Sequence, residues 1–415
     1  MKKNKFYLIS IAFFFLIVLG ALYFFNFHQK DYLPTYFSYS PTALNQLNEL
    51  TSQLEVTKKE LEDWDDETFA LIKKYKLEDR YAARIFSYLY TAQADFAFLS
   101  YNLKGKMLGS ITPISAEVLG LLFPNEIKSI SDFNQSGSQV FDEYTSNLTN
   151  LVFEKIKERF KADKKQEKLF PEKISPHFWA GRRPYSGQDT GSWKTWNLEK
   201  GDQFRSPPPP EPDSQEWKKQ LELTKDALKN ITPEQKIAVV HWAGGPGTMT
   251  PPGLWLVIAS EYIDSKTLPL RKILEVRAVL ARAVADAAIA VFDSKYTYWI
   301  KRPNMMDPSV QTVMPTPNYP SYPAGHSAIS AAAATILTFY FPEMKEQWDK
   351  NQEEASNTRI WGGIHFLLDA KEGIEQGKKV AEEALKKEAE RASHNSFSPE
   401  DIQTTQQNTN EKPSN

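Results

Sequence analysis

The sequence predicts an all-α protein, built as a multi-helix bundle behind one apolar N-terminal segment. Long stretches are rich in helix formers with apolar residues at helical spacing, as in LRKILEVRAVLARAVADAAIAVF. Strand-like alternation is scarce, and Pro and Gly clusters separate the helical stretches. The chain has 415 residues, of which 41% are hydrophobic, so it can bury a large core and is not disordered as a whole.

The N-terminal segment is predicted to anchor the protein in a membrane. Residues 6–25 carry no charge and follow Lys2, Lys3 and Lys5. A helix of this length spans about 30 Å, the thickness of the hydrocarbon layer. The lysines should stay in the cytoplasm, which places the rest of the chain in the periplasm or outside the cell. The alternative is secretion after signal cleavage, although the apolar run is long for a signal peptide and no clear cleavage site follows.

The remaining chain divides into three regions. Residues 31–213 are predicted to form an N-terminal helical region that ends in a Pro-rich connection, and residues 214–393 a helical core that contains the candidate site residues named below. Residues 394–415 are polar and without periodicity, which predicts a disordered tail. Four consecutive prolines, Pro207 to Pro210, predict a stiff extended crossing within one compact structure.

Composition removes several classes of function. The 50 basic residues are balanced by 52 acidic ones, which argues against a nucleic-acid partner bound by bulk electrostatics. The absence of cysteine excludes disulfides, thiolate nucleophiles and iron–sulfur clusters. The chemistry must therefore use His, carboxylates, Lys, Arg or hydroxyls.

Two short stretches place histidines next to glycines. In PSYPAGHSA, an irregular segment ends at Gly325 and a helix is expected to begin at about Ser327, so backbone N–H groups should form an oxyanion site beside His326. In TRIWGGIHFLLD, His365 and Asp369 are four residues apart, which predicts a shared helix face and a hydrogen bond that fixes the imidazole tautomer.

Three cations complete the pattern. Arg359 offers a planar fork suited to a tetrahedral oxyanion, and Lys295 and Arg302 lie in KYTYWIKRP. Two histidines, these cations and a helix N-terminus together predict a pocket for phosphate or an analogue of phosphate.

These residues resemble the signature of the superfamily that joins type 2 phosphatidic acid phosphatases, bacterial acid phosphatases and vanadium-dependent haloperoxidases. That signature is K-x6-R-P, then P-S-G-H, then S-R-x5-H-x3-D. It is matched here by Lys295, Arg302-Pro303, Pro323-Ala324-Gly325-His326, Thr358-Arg359, His365 and Asp369. Ala324 and Thr358 depart from the pattern, and Ala324 removes a hydroxyl that the family directs at the oxyanion. The stretch GGPGTMTPPGLW is similar to the haloperoxidase-like branch.

The resemblance implies a role for each residue. His365 would be the vanadate ligand of a haloperoxidase or the nucleophile of a phosphatase, and His326 the general acid or base. Asp369 would orient His365. The oxyanion would be held by Lys295, Arg302, Arg359 and the N–H of Gly325. The cofactor would be vanadate in a haloperoxidase, and a phosphatase would need none.

Three functions follow from these residues. The leading hypothesis is an enzyme with vanadate-dependent, haloperoxidase-like activity on a small-molecule substrate. The alternative is a phosphatase that hydrolyses phosphate esters through a phosphohistidine at the same site. A third is a non-enzymatic anchored binding protein with a vestigial pocket, which the loss of the hydroxyl at Ala324 favours. GGPG is expected to be a tight turn, and His241 before it a core residue.

Overall fold

The computed structural model describes residues 33–101, 106–135, 140–394 and 396–397, and their architecture is all-α, as predicted. The predicted anchor at residues 1–30 lies outside the described residues. Within the described residues, none of the helices combines the length and the apolar character needed to cross a bilayer. The predicted tail lies mostly outside as well. Its first residue, His394, still belongs to the last helix.

The helices follow one another along the chain with short connections. They are α1 (Pro41–Asn48), α2 (Lys58–Lys74), α3 (Asp79–Leu99), α4 (Thr112–Leu122), α5 (Ile127–Gln135), α6 (Glu143–Gln166), α7 (Gln215–Lys229), α8 (Pro233–Ala243), α9 (Thr250–Asp264), α10 (Leu270–Tyr298), α11 (Pro303–Met306), α12 (Gly325–Tyr340), α13 (Lys345–Trp361) and α14 (Leu367–His394). Two short strands, β1 (Leu33–Pro34) and β2 (Ser396–Phe397), pair antiparallel and join the two ends of the described chain.

Helix α10 is the centre of the molecule. Every residue from Ile273 to Tyr296 is buried, so this helix is surrounded on all sides. It packs against α3 from the N-terminal half and against α12 and α14 from the C-terminal half. Residues of both halves share one hydrophobic core.

Helices α12 and α14 make the most extensive contact in the fold, and two glycines permit it. A Cβ atom at Gly373 would lie 2.5 Å from the carbonyl oxygen of Ala324, and one at Gly377 would overlap the carbonyl oxygen of Ala328. Backbone-to-backbone packing of this kind places Asp369, near the start of α14, beside the start of α12.

The Pro-rich crossing lies on the helices as predicted for a connection within one structure. Trp217 Nε1 donates to the carbonyl of Pro210 at 3.0 Å, and the hydroxyl of Tyr322 donates to the carbonyl of Pro207 at 2.7 Å. The tryptophans of the preceding loop, Trp179, Trp193 and Trp196, are all buried. The segment therefore has fixed contacts close to the loop that leads into α12.

Candidate active site

The ends of four helices meet at one point and bring together all seven predicted site residues. Lys295 lies in the last turn of α10 and Arg302 just beyond it, while Arg359 lies in the last turn of α13. Gly325 and His326 open α12, His365 precedes α14, and Asp369 lies in its first turn. The contacts described below connect these residues to one another.

Lys295 organises the loop that leads into α12. Its ammonium group donates to the carbonyl oxygens of Pro320, Ser321 and Pro323 at 3.0, 2.7 and 2.6 Å. All three donors of the ammonium group are thus used by the protein. Burial lowers the pKa of Lys295 well below its ordinary value, and the charge of Arg302 lowers it further. Lys295 therefore shapes the loop directly, and its contribution to a bound anion would be electrostatic.

Arg302 lies against the nitrogen of His365 that the resemblance makes reactive. Its Nη1 is 2.9 Å from His365 Nε2 and also donates to the carbonyl of Ile364 at 2.7 Å, while Nε donates to the carbonyl of Tyr319. Because a guanidinium only donates, His365 Nε2 is the acceptor and carries a lone pair. An oxyanion bonded to Nε2 would lie directly against this guanidinium.

The hydrogen bond predicted between His365 and Asp369 is present, but its structural basis differs from the prediction. Asp369 Oδ2 lies 2.9 Å from His365 Nδ1, although His365 lies in a bend before α14 and not on the helix. Asp369 Oδ2 also accepts from the N–H of Phe366 at 3.1 Å and so closes the first turn. The carboxylate therefore fixes His365 as the Nδ1–H tautomer and leaves Nε2 unprotonated.

His326 faces Arg359 and the end of α8. Its Nε2 is 2.9 Å from the carbonyl of Trp242 and 3.2 Å from Arg359 Nη1. Burial lowers the pKa of His326 well below its ordinary value, with Arg359 adding to the effect. Burial and the charge of Arg302 lower the pKa of His365 in the same direction. Both imidazoles are thus neutral at pH 7.

Burial shifts the pKa values of Asp369 and Arg359 in opposite directions. It raises the pKa of Asp369 to about 6, against the hydrogen bonds from Ser321 and Phe366, which favour the carboxylate. It lowers the pKa of Arg359 to about 10. Both groups remain mostly charged at neutral pH, so the site keeps a net positive charge suited to an anion.

Helix α12 begins two residues earlier than predicted, at Gly325, with Ala324 as the N-cap. The cap has no side-chain hydrogen bond, because alanine lacks the hydroxyl. The nearest atoms to a Cβ at Gly325 would be Lys295 Cε and Val291 Cγ1, both 4.0 Å away. The start of the helix is therefore open where an anion could approach the backbone N–H groups.

The donor set fits an oxyanion. Two buried guanidinium nitrogens, Arg302 Nη2 and Arg359 Nη2, have no hydrogen-bond partner among the described residues. A buried donor without an acceptor is costly, at about 1–3 kcal/mol each. Both belong to arginines that contact the two site histidines. Phosphate or vanadate oxygens would satisfy them.

Four residues at the site were not identified from the sequence. Ser321 donates to Asp369 Oδ2 at 2.5 Å and lies 3.3 Å from His365 Nδ1. Its position next to the P-A-G-H motif was the only available signal. Trp242 supplies the carbonyl near His326. Tyr319 lies with its ring centroid 5.1 Å from Lys295 Nζ and 5.0 Å from Arg302 Cζ.

The fourth residue, Asp79, comes from the N-terminal half, where the sequence offered no catalytic pattern. It is buried at the start of α3, and its charge favours the protonated forms of Lys295, Arg359 and Tyr319. The N-terminal half thus contributes a carboxylate near the site.

The expectation that His241 is a core residue is wrong, since its side chain is exposed.

Comparison with known proteins identifies a family model over the region of the site and solved structures with the same fold. Residues 276–378, which contain all seven site residues, match the model of the PAP2 superfamily. A bacterial vanadium-dependent iodoperoxidase has a TM-score of 0.64 at 20% identity, with 81% of this chain and 98% of that chain covered.

Two structures of bacterial vanadium-dependent chloroperoxidase give similar results. The apo form has a TM-score of 0.61 at 13% identity, covering 78% of this chain and 98% of that one. The holo form has a TM-score of 0.58 at 12% identity, covering 76% and 93%. A search of curated protein sequences gives no significant match. The resemblance inferred from the three motifs is confirmed for residues 276–378, the part of the chain that matches the PAP2 superfamily model.

Proposed function

We propose that this protein is a vanadate-dependent haloperoxidase-like enzyme with its catalytic centre at His365. The observation that carries the proposal is the pair of unpartnered guanidinium nitrogens, Arg302 Nη2 and Arg359 Nη2, beside two neutral histidines. The fold shared with a bacterial iodoperoxidase over 81% of this chain supports the same choice, because that share is larger than the core alone.

Each residue would have a defined task at such a centre. His365 Nε2 would ligate vanadate, with Asp369 holding the proton on Nδ1. Lys295, Arg302 and Arg359 would balance the negative charge, and the N–H groups at the start of α12 would donate to an oxygen of the anion. Bound vanadate would supply the centre at which hydrogen peroxide is activated to oxidise a halide. His326, which contacts Arg359, would be the general acid or base.

A phosphatase is the second candidate, because His365 has the features of a nucleophile. Its Nε2 bears a lone pair, and its low pKa keeps that lone pair available at neutral pH. Attack on a phosphate ester would form the Nε2–P bond and break the P–O bond to the alcohol, whose oxygen would take a proton from His326 in its imidazolium form. The negative charge of the bound ester would favour that form. Water would then release phosphate from the phosphohistidine and return the proton to His326.

Two assays on the full-length protein test these proposals. One measures bromination of a dye with hydrogen peroxide and added vanadate, and the other measures hydrolysis of p-nitrophenyl phosphate. We expect vanadate-dependent bromination that His365→Ala abolishes. His177→Ala, which changes an exposed histidine that pairs with Asp213, is the control and should retain activity. Hydrolysis without bromination would select the phosphatase.

The absence of both activities would contradict an enzyme of either kind, provided that His365→Ala also leaves vanadate and phosphate binding unchanged. In that case the non-enzymatic binding protein would be the remaining interpretation. Loss of vanadate binding in His365→Ala, with no turnover of either substrate, would locate the anion at His365 and direct the search to other substrates.

We also propose that the chain is anchored by residues 6–25, with the catalytic core outside the cytoplasm. The basis is the uncharged run and the lysines before it. A reporter fused after residue 393 that is active only in the cytoplasm would contradict this topology. Release of the core into the medium as a shortened chain would indicate signal cleavage instead.

A further inference from the structure

The C-terminal end of α8 contacts the imidazole that the proposed function makes the acid or base. His326 Nε2 lies 2.9 Å from the carbonyl oxygen of Trp242. A carbonyl can only accept, so this contact requires a proton on Nε2. The carbonyl of Ala243, next in the chain, also favours the protonated imidazole. The negative end of the helix dipole acts in the same sense.

The charged groups that face His326 cannot fix this proton. Arg359 Nη1 is 3.2 Å from Nε2 but is itself a donor, and Lys295 acts on the ring only through its positive charge. His365, the remaining titratable neighbour, is kept neutral because burial and the charge of Arg302 lower its pKa, while Asp369 fixes its tautomer. Among the described residues that contact Nε2, the backbone of α8 therefore supplies the acceptor.

The position of that carbonyl is set by the tryptophan side chain. Trp242 Nε1 donates to Glu354 Oε1 on α13 at 2.8 Å. The ring of Trp242 also packs against Trp255, whose Nε1 donates to Ser330 Oγ on α12 at 2.8 Å. Helices α12 and α13 carry His326 and Arg359. Trp242 is thus bonded directly to the helix of Arg359 and is linked through Trp255 to the helix of His326.

The loop after α8 shows why the helix ends where it does. Gly244 takes a left-handed conformation with φ 54°, and a Cβ there would lie 2.5 Å from Pro251 Cδ. Thr250, which is buried and β-branched, has φ 65°, a conformation that such residues rarely adopt. In contrast, a Cβ at Gly245 would meet no atom within 4 Å.

We propose that the end of α8 and the Gly244–Thr250 loop form a positioning element for His326, in which the Trp242 carbonyl holds the proton on Nε2. The GGPG stretch, which matches no phosphate-binding loop, thereby acquires a role in the site. The inference rests on the proposed function only for the catalytic role of His326. The hydrogen bond and the tautomer can be tested without any turnover.

The direct test is nitrogen-15 NMR of the histidines in the full-length protein. The chain has six histidines, and His326→Gln identifies the signals of interest. We expect the Nε2–H tautomer for His326 in the wild type and in Gly245→Ala. Gly244→Ala should give a mixture of tautomers, because the added methyl group displaces the turn from Pro251. An Nδ1–H tautomer in the wild type would overturn the inference, even if no variant could be purified.

Kinetics on whichever substrate is active provide the second test. Gly244→Ala should lower kcat about tenfold and shift the pH profile of kcat, while vanadate or phosphate affinity changes less than twofold. Adding Pro251→Ala should restore part of the loss by removing the clash. Equal behaviour of Gly244→Ala and Gly245→Ala, or a parallel fall in anion affinity, would contradict a positioning role. If the wild type lacks both activities, the proposed function fails, and the NMR result still decides this inference.

Discussion

Ser321 Oγ donates a 2.5 Å hydrogen bond to Asp369 Oδ2, the same oxygen that holds His365 Nδ1. The carbonyl of Ser321 accepts from Lys295, and its N–H donates to the carbonyl of Ile300. Ser321 therefore connects the loop that Lys295 holds before α12 to the pair formed by His365 and Asp369. Its hydroxyl supports the carboxylate that sets the His365 tautomer.

Ser321→Ala should lower turnover about 10- to 100-fold, as expected when a supporting hydrogen bond behind a reactive histidine is lost. The free energy of unfolding should fall by about 1–3 kcal/mol. Ser115→Ala on α4 is the matched control, because it removes a buried hydroxyl that accepts from Gln93 Nε2 at 3.0 Å, away from the site. Steady-state kinetics and denaturant titration check both. An equal loss of activity in the control would show that Ser321 acts only through stability.

Asp79→Asn should strengthen anion binding. The carboxylate of Asp79 lies near Lys295 and Arg359 and opposes their attraction for an oxyanion. Replacing it with the isosteric amide should lower the Kd for vanadate or phosphate by about 3- to 10-fold at low salt. Isothermal titration calorimetry measures this change. Weaker binding in the variant would mean that Asp79 supports the site by positioning its neighbours.

Asp286→Asn should make stability less sensitive to pH between 4 and 7. Burial raises the pKa of Asp286 from 3.8 to about 6, although the N–H groups of Trp196 and Asn197 and the charges of Arg159 and Arg391 act against the rise. The folded protein then binds more protons than the unfolded chain, so this group's contribution is complete below pH 4 and is lost as the pH rises through 6. As the pH rises over that range, the free energy of unfolding of the variant should increase by about 3 kcal/mol relative to that of the wild type.

Urea titration at each pH measures this change, and Asp307, whose pKa is shifted in the opposite direction, is the control. Hydrogen bonds from Ser309 and Lys225 lower the pKa of Asp307 to about 2. Its contribution is therefore present above pH 4 and is lost as the pH falls toward 2. Asp307→Asn should leave unchanged the slope of the free energy of unfolding against pH between pH 4 and 7. The same slope in Asp286→Asn and the wild type would contradict the assignment to Asp286.

Gly377→Ala should disturb both stability and the site. The added methyl group would overlap the backbone of Ala328 and push α14 away from α12, and Asp369 lies on α14. We expect the free energy of unfolding to fall by about 1–3 kcal/mol or more, as for an overpacked core. Activity should fall as well. Gly120→Ala on α4 is the control, since its nearest neighbour would be 3.8 Å away. There alanine should stabilise the helix by up to about 1 kcal/mol.

The sequence by itself determined the helical class and the identity of the chemical groups. Helical periodicity and helix formers are local properties, so they indicate α10 and α12 without knowledge of their neighbours. The spacing within each motif was also local, which is why all seven residues could be named. The hydrogen bond between His365 and Asp369 was predicted correctly, although from a shared helix that does not include His365.

The tertiary structure alone decided which distant residues complete the site. Ser321, Asp79 and the Trp242 carbonyl come from an irregular loop, the N-terminal half and the end of α8, and none belongs to a motif. A backbone carbonyl is present in every residue, so no sequence pattern can mark it. The packing of α12 on α14 through Gly373 and Gly377, and of α10 on α3, sets these positions because close helix contacts depend on shape across the whole core.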